Sequence, residues 1–212
     1  NNTLIETSCP SLVEGVYTGE SKNNVLDELL LSTSLNSLCT KCVRLSCLDR
    51  DHDYSSLYAD VFSGEDLLQT LPIFDRAGSI QIIHAPLYNY YQNSLSITQS
   101  KYLARHINST FLVYKELGMY VEKWGLDTNV YVAKMGLSII YTLKQLIRRR
   151  VGAGSYTAQE RAAILDRMKG EDIQEVVGQY SPRGNPLSLQ LCYHCFARDY
   201  RHLLDVLCVI FG

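Results

Sequence analysis

Two adjacent acids, Glu65 and Asp66, stand at the head of "GEDLLQTLPIF". Paired carboxylates at one place can do proton-transfer work. They act as acid or base only where a substrate proton lies within hydrogen-bond reach. The commoner reading is a charged first turn of a helix, where acids are favoured by the macrodipole. Two further sets of residues carry chemical promise. "CTKC" holds Cys39 and Cys42, and "CYHC" holds Cys192 and Cys195. Four thiolates could make a tetrahedral zinc site. The pairs lie much further apart than a zinc ribbon spaces them, and both stand in apolar periodic stretches, where Cys behaves as a small buried hydrophobe. Asp51-His52-Asp53 formally spells a metal-binding D-x-D, yet it falls in the polar run "DRDHDYSS", which reads as a solvated loop. His84 closes a short apolar run and could contact diphosphate or metal; a satisfied strand-end histidine is the commoner case. His52, His106, His194 and His202 have no partner pattern.

The elements around Glu65 and Asp66 are short. "NNVLDELLLSTSL" places Val25, Leu26, Leu29 and Leu30 at helical spacing, with Asp27 and Glu28 on the opposite side. "SLCTKCVRLSCL" reads as a short helix or a strand-helix piece. Ser63 is the expected N-cap of the next helix, with Asp66 completing a near capping box. Leu67, Leu68, Leu71 and Phe74 give that helix a buried face, Pro72 is expected to kink or shorten it, and Gly78 to stop it. "SIQIIHAP" is β-branched and bounded by Gly78 and Pro86, so it reads as a strand. "LYNYYQNSLSIT" reads as extended or looped.

From about residue 98 the pattern becomes helical. Leu103, Ile107, Phe111, Tyr114, Leu117 and Val121 share one face of "KYLARHINSTFLVYKELGMYVEKWG". "TNVYVAKMGLSIIYTLKQLIRRR" is a second long helix, whose basic end (Lys144 and residues 148–150) suits the negative pole of its dipole. "GAGS" is a linker. Four further helices are expected over 157–170, 171–180, 185–200 and 201–212. The predicted fold class is therefore α+β: a mixed region over residues 1–97 and an all-helical region over 98–212.

Totals exclude some functions. A net charge of -2 over 212 residues, with signs mixed along the chain, argues against nucleic-acid binding. No apolar run reaches the length of a membrane span; "LLDVLCVIF" is expected to pack on other helices rather than lie on a membrane. Seven cysteines, an odd number in a chain large enough to fold without staples, indicate reduced thiols and a cytoplasmic setting. Fifteen tyrosines suit sugar and nucleotide pockets as well as ordinary cores.

The order helix, "CTKCVR", polar loop, "GED", helix, strand, "APLYNYYQNSLSIT" resembles the second half of the catalytic domain of bacterial family 2 glycosyltransferases, inverting enzymes with a GT-A fold. Lys41 and Arg44 match the basic pair that precedes the acceptor-side acids; Cys39 stands where the family commonly has Trp. Gly64, Glu65 and Asp66 match the "GED". Pro86 to Tyr90 and Ser96 to Thr98 match the "PLYNY" and "SIT", with Tyr91 where a basic residue is frequent. The resemblance covers roughly residues 1–100. It implies that residues 1–97 are the acceptor-side part of a GT-A-like domain. Asp66 would be the general base and Glu65 would orient the acceptor. Substrate-binding positions would be Lys41, Arg44, His84, Tyr90 and Tyr91. The implied partners are a nucleotide-sugar donor and a glycan acceptor of the cell envelope, at the inner face of the membrane, with peripheral membrane contact and self-association as further expectations. Mg²⁺ or Mn²⁺ would serve the full-length enzyme, held mostly by residues outside this chain. The sequence opens at "NNTLIETSC" without Met and lacks the donor-binding half, so the isolated chain is expected to be an inactive piece of the enzyme. The alternative reading is a non-catalytic helical protein-interaction module.

Overall fold

The computed structural model describes residues 9–51, 55, 61, 64–89, 104–148 and 156–211. The class is α+β: a mostly helical chain with one two-stranded antiparallel sheet among the described residues. β1 (Gly15–Thr18) pairs with β2 (Ser79–Ile82), placing Gly15 opposite Ile82 and Thr18 opposite Ser79. Between them, among the described residues, lie three 3₁₀ turns (Gly19–Ser21, Leu38–Thr40 and Leu45–Cys47), α1 (Lys22–Leu31) and α2 (Glu65–Arg76). The expected strand over 79–86 thus ends at Ile82, and Ile83 and His84 leave the ladder. After it come α3 (Ala104–Trp124), α4 (Thr128–Arg148), α5 (Ala158–Arg167), α6 (Glu171–Gln179), α7 (Leu187–Ala197) and α8 (Arg201–Phe211).

Two apolar clusters organise these elements, and α3 serves both. Its Ile107 and Phe111 join α4 to α8 in one core; its Val113, Leu117 and Val121 pack with α1, α2 and β2 in the other. Tyr114 and Tyr131 touch both clusters. The expected division at 97/98 falls outside the described residues. Asp75 fixes the end of α2 on the end of α3: its carboxylate accepts from Lys123 Nζ at 2.7 Å and Trp124 Nε1 at 3.0 Å. Burial raises the Asp75 pKa, but those two hydrogen bonds outweigh it and hold the carboxyl below its usual value.

Glu28 is not on the polar side of α1. It is 8% exposed, and its carboxylate accepts from the Ser11 hydroxyl and N–H, from Ser32 at 3.0 Å and from Ser34 at 2.9 Å. Burial alone would push its pKa up; these four donors hold it down instead. Beside it, buried Lys134 of α4 donates to the Leu29 carbonyl and, at 3.2 Å, to the Ser32 carbonyl. The ammonium thus caps the C-terminal carbonyls of α1, where the dipole favours a cation.

Burial pulls the Lys134 pKa down from 10.5 to about 8. Between those values the unfolded chain binds more protons than the folded one, so stability rises with pH across that window. Against Lys134→Met, wild type is therefore expected to gain about 3 kcal/mol between pH 8 and 10.5, at about 1.4 kcal/mol per unit. Urea unfolding of both proteins at the two pH values checks it. Equal changes in the two proteins would contradict the assignment.

Candidate functional site

The cap of α2 falls on Gly64, not Ser63. Gly64 is the N-cap, with φ of 89°, and its carbonyl accepts from Leu67 N at 3.1 Å and Leu68 N at 3.3 Å. Ser63 lies outside the described residues. The left-handed turn is available to glycine at no steric cost. A Cβ at Gly64 would also meet Val113 Cγ2 of α3 at 3.1 Å. Gly64→Ala is expected to cost about 1–2 kcal/mol from the left-handed backbone alone. A thermal melt checks this; an unchanged midpoint would contradict it.

From that start the helix presents Leu67, Leu68, Leu71, Ile73 and Phe74 to the core. Its first turn places Glu65 in solvent and Asp66 half-buried. The helix runs through Pro72 to Arg76, and Ala77, in extended backbone, ends it one residue before Gly78. Pro72 is tolerated at the cost of one intrahelical N–H bond.

Residues 33–48 run beside α2. They form neither a helix nor a strand-helix piece: the Ser37 hydroxyl accepts from Cys39 N at 3.3 Å, and two 3₁₀ turns follow, both packed on α2. This local capping competes with a longer helix. It leaves Cys39 and Cys42 exposed rather than buried, whereas Cys192 and Cys195 are buried in the C-terminal core. The two pairs thus sit in different settings. Among the described residues no three His, Cys, Asp or Glu side chains come together as metal ligands. Asp51 is exposed; His52 and Asp53 lie outside the described residues.

Lys41 folds back on its own loop, beside α2. Its ammonium donates to the Leu35 carbonyl at 2.6 Å and to the Ser37 carbonyl, and it stands 5.7 Å from the centre of the Phe74 ring. Burial lowers its pKa from 10.5 to about 8, while the negative charges of Asp66 and Cys39 act in the opposite direction. Thr70, fully buried, ties the two segments: its Oγ1 lies 2.7 Å from the Asp66 carbonyl and 3.1 Å from the Asn36 carbonyl, so one proton serves both. The Asn36 side-chain oxygen is buried without a hydrogen-bond partner. Asn36, Thr70 and Phe74 were not singled out by motif or spacing as site residues. The one local signal was Thr70, a β-branched polar residue on an otherwise apolar helix face.

The other expected positions sit differently. Arg44 is exposed and starts the second 3₁₀ turn, its carbonyl accepting from Cys47 N at 2.9 Å. His84 is exposed beyond β2; its Nε2–H donates to the Leu12 carbonyl at 2.8 Å and its N–H to Glu14 Oε1 at 3.3 Å. It is engaged by the segment before β1. Tyr90 and Tyr91, with Ser96 to Thr98, lie outside the described residues.

No family model, curated protein or solved structure matches the chain. The chemistry of the site is thus argued from its residues. Asp66 presents a half-buried carboxylate in the first turn of a helix.

Proposed function

We propose that the protein carrying this chain is an inverting glycosyltransferase, and that residues 1–97 are the acceptor-side part of its GT-A-like domain. An acceptor hydroxyl attacks the anomeric carbon of a nucleotide sugar. The new C–O bond forms as the bond from that carbon to the diphosphate oxygen breaks. The nucleoside diphosphate leaves, and the hydroxyl proton passes to the Asp66 carboxylate. One displacement inverts the sugar configuration, so a single base suffices.

One observation supports this reading above the rest. The segments of "CTKCVR" and "GED" adjoin: the 3₁₀ turn Leu38–Thr40 packs on α2, and Thr70 of α2 reaches the Asn36 carbonyl at 3.1 Å. Glu65, exposed at the same turn, would contact the acceptor. The proposed acceptor is a cell-envelope glycan at the inner membrane face; no helix among the described residues is long and apolar enough to cross a membrane. The test is nucleoside diphosphate release by the full-length protein over a panel of nucleotide sugars with glycan acceptors and Mg²⁺ or Mn²⁺. Acceptor-dependent release with one donor is expected. No release with any donor would overturn the proposal.

A further inference from the structure

We propose that Cys39 and Cys42 form an oxidation site, a dithiol that closes to a disulfide across one turn when the surrounding thiol pool is oxidised. The inference is independent of the transferase reading. Both thiols are exposed. The two residues between them are tied to the loop by their side chains. Thr40 Oγ1 donates to the Ser37 carbonyl at 3.1 Å, and the Lys41 ammonium donates to the Leu35 carbonyl at 2.6 Å and to the Ser37 carbonyl. The Ser37 hydroxyl accepts from Cys39 N at 3.3 Å, and the Leu38 carbonyl accepts from Lys41 N at 3.0 Å. The turn is thus in place before any bond joins the cysteines.

Its backbone brings them together. Thr40 ends the 3₁₀ turn, and Lys41 is extended, with φ of -120° and ψ of 138°. A right-handed residue followed by an extended one reverses the chain, and the ends of such a turn lie within about 7 Å. A disulfide spans Cα separations of about 4.4–6.8 Å, so closure asks for little movement of the loop. Cys192 and Cys195 supply the contrast. They have the same spacing, but they stand on the regular helix α7 and are buried. Burial pushes the Cys195 thiol up, which leaves less of the thiolate that attacks a disulfide.

The oxidant is a small disulfide of the glutathione type. A thiolate of the pair attacks one of its sulfurs; that S–S bond breaks, one small thiol leaves, and a mixed disulfide remains. The second cysteine attacks the protein sulfur of this intermediate, and the second small thiol leaves. The two protein thiols give up two electrons and two protons, and the small disulfide takes them up. In a reducing compartment the pair stays open and closes only as the pool is oxidised.

The test equilibrates the chain with graded mixtures of oxidised and reduced glutathione, then quenches, unfolds, alkylates and cuts it with trypsin. Cleavage after Lys41 and Arg44 places Cys39 and Cys42 on separate peptides, so their disulfide shows as a linked pair that falls apart on reduction. The linked pair is expected to rise with the oxidised fraction, while Cys192 and Cys195 stay alkylated as free thiols. In Cys42→Ser, Cys39 should stop at the mixed disulfide with glutathione. Four results would each overturn the inference: both thiols free at every ratio, a mixed disulfide that persists in wild type, bonding of either cysteine to Cys9, Cys47 or a second chain, or oxidation of Cys192 and Cys195 at the same ratio.

Discussion

If the proposed mechanism holds, Asn in place of Asp66 is expected to lower kcat of sugar transfer by the full-length protein about 10²–10⁴-fold, the usual worth of a positioned general base. The substitution is nearly isosteric and removes the only property the mechanism uses, the capacity to take up a proton. Folding should survive it. Asn is well accepted at helix starts, and the lost charge–dipole interaction is worth about 0.3–1 kcal/mol. The KM of the donor should stay close to wild type, because Asp66 acts on the acceptor hydroxyl. Glu65→Gln should cost far less: Glu65 is exposed and carries no proton in the proposed step. Initial rates of nucleotide release for the three proteins separate these cases. Wild-type kcat in Asp66→Asn would remove the base from the account.

Ala in place of Gly136 is expected to destabilise the C-terminal core by about 1–3 kcal/mol, as overpacking does. Helix propensity alone predicts the opposite sign, because glycine inside a helix costs about 1 kcal/mol relative to alanine. Packing decides. A Cβ at Gly136 in α4 would lie 2.1 Å from Tyr180 Cγ and 2.2 Å from Cδ2, inside the ring. That ring is not free to swing away. It packs edge-on at 5.6 Å against Tyr193, and its hydroxyl lies 3.4 Å from the Asn185 side-chain nitrogen. Tyr193 is itself buried and donates to the Val177 carbonyl at 3.2 Å. Displacing Tyr180 therefore disturbs the contacts among α4, α6 and α7. In a Tyr180→Ala background the clash is gone, and Gly136→Ala should become neutral or stabilising by up to about 1 kcal/mol. Urea unfolding of the four proteins tests this. A single Gly136→Ala variant as stable as wild type would show that the ring yields at no cost.

Gly136 and Tyr180 also show where sequence reasoning stops. Periodicity finds a helix and its apolar face, and it located the buried residues Leu67, Leu71 and Phe74 of α2 and Ile107, Phe111, Leu117 and Val121 of α3. It says nothing of which residue 44 positions away lies on a glycine. Glu28 failed for the same reason. Its place on α1 looks polar, but three serines from outside the helix core converge on it, and four hydrogen bonds offset the cost of burial. Lys134 is buried because α1 ends beneath it, which no local pattern encodes. The cysteines of "CTKC" are exposed, not buried as the periodic apolar run suggests, because Ser37 diverts the chain into 3₁₀ turns.

The site was legible in part. "GED" before an amphipathic run locates Asp66 in the first turn, and the positive φ at Gly64 explains why the motif begins with glycine. The placement of the 33–48 segment beside α2 depends on its own path and on the Thr70 bridge to Asn36. Neither has a signature in residue type or spacing.

The most direct test of the account is the anomeric configuration of the sugar product, read by NMR from the full-length protein with its accepted donor. A single displacement with Asp66 as base predicts inversion relative to the donor. Retention of configuration would require a second displacement or a different attacking face, and would contradict the role given to Asp66.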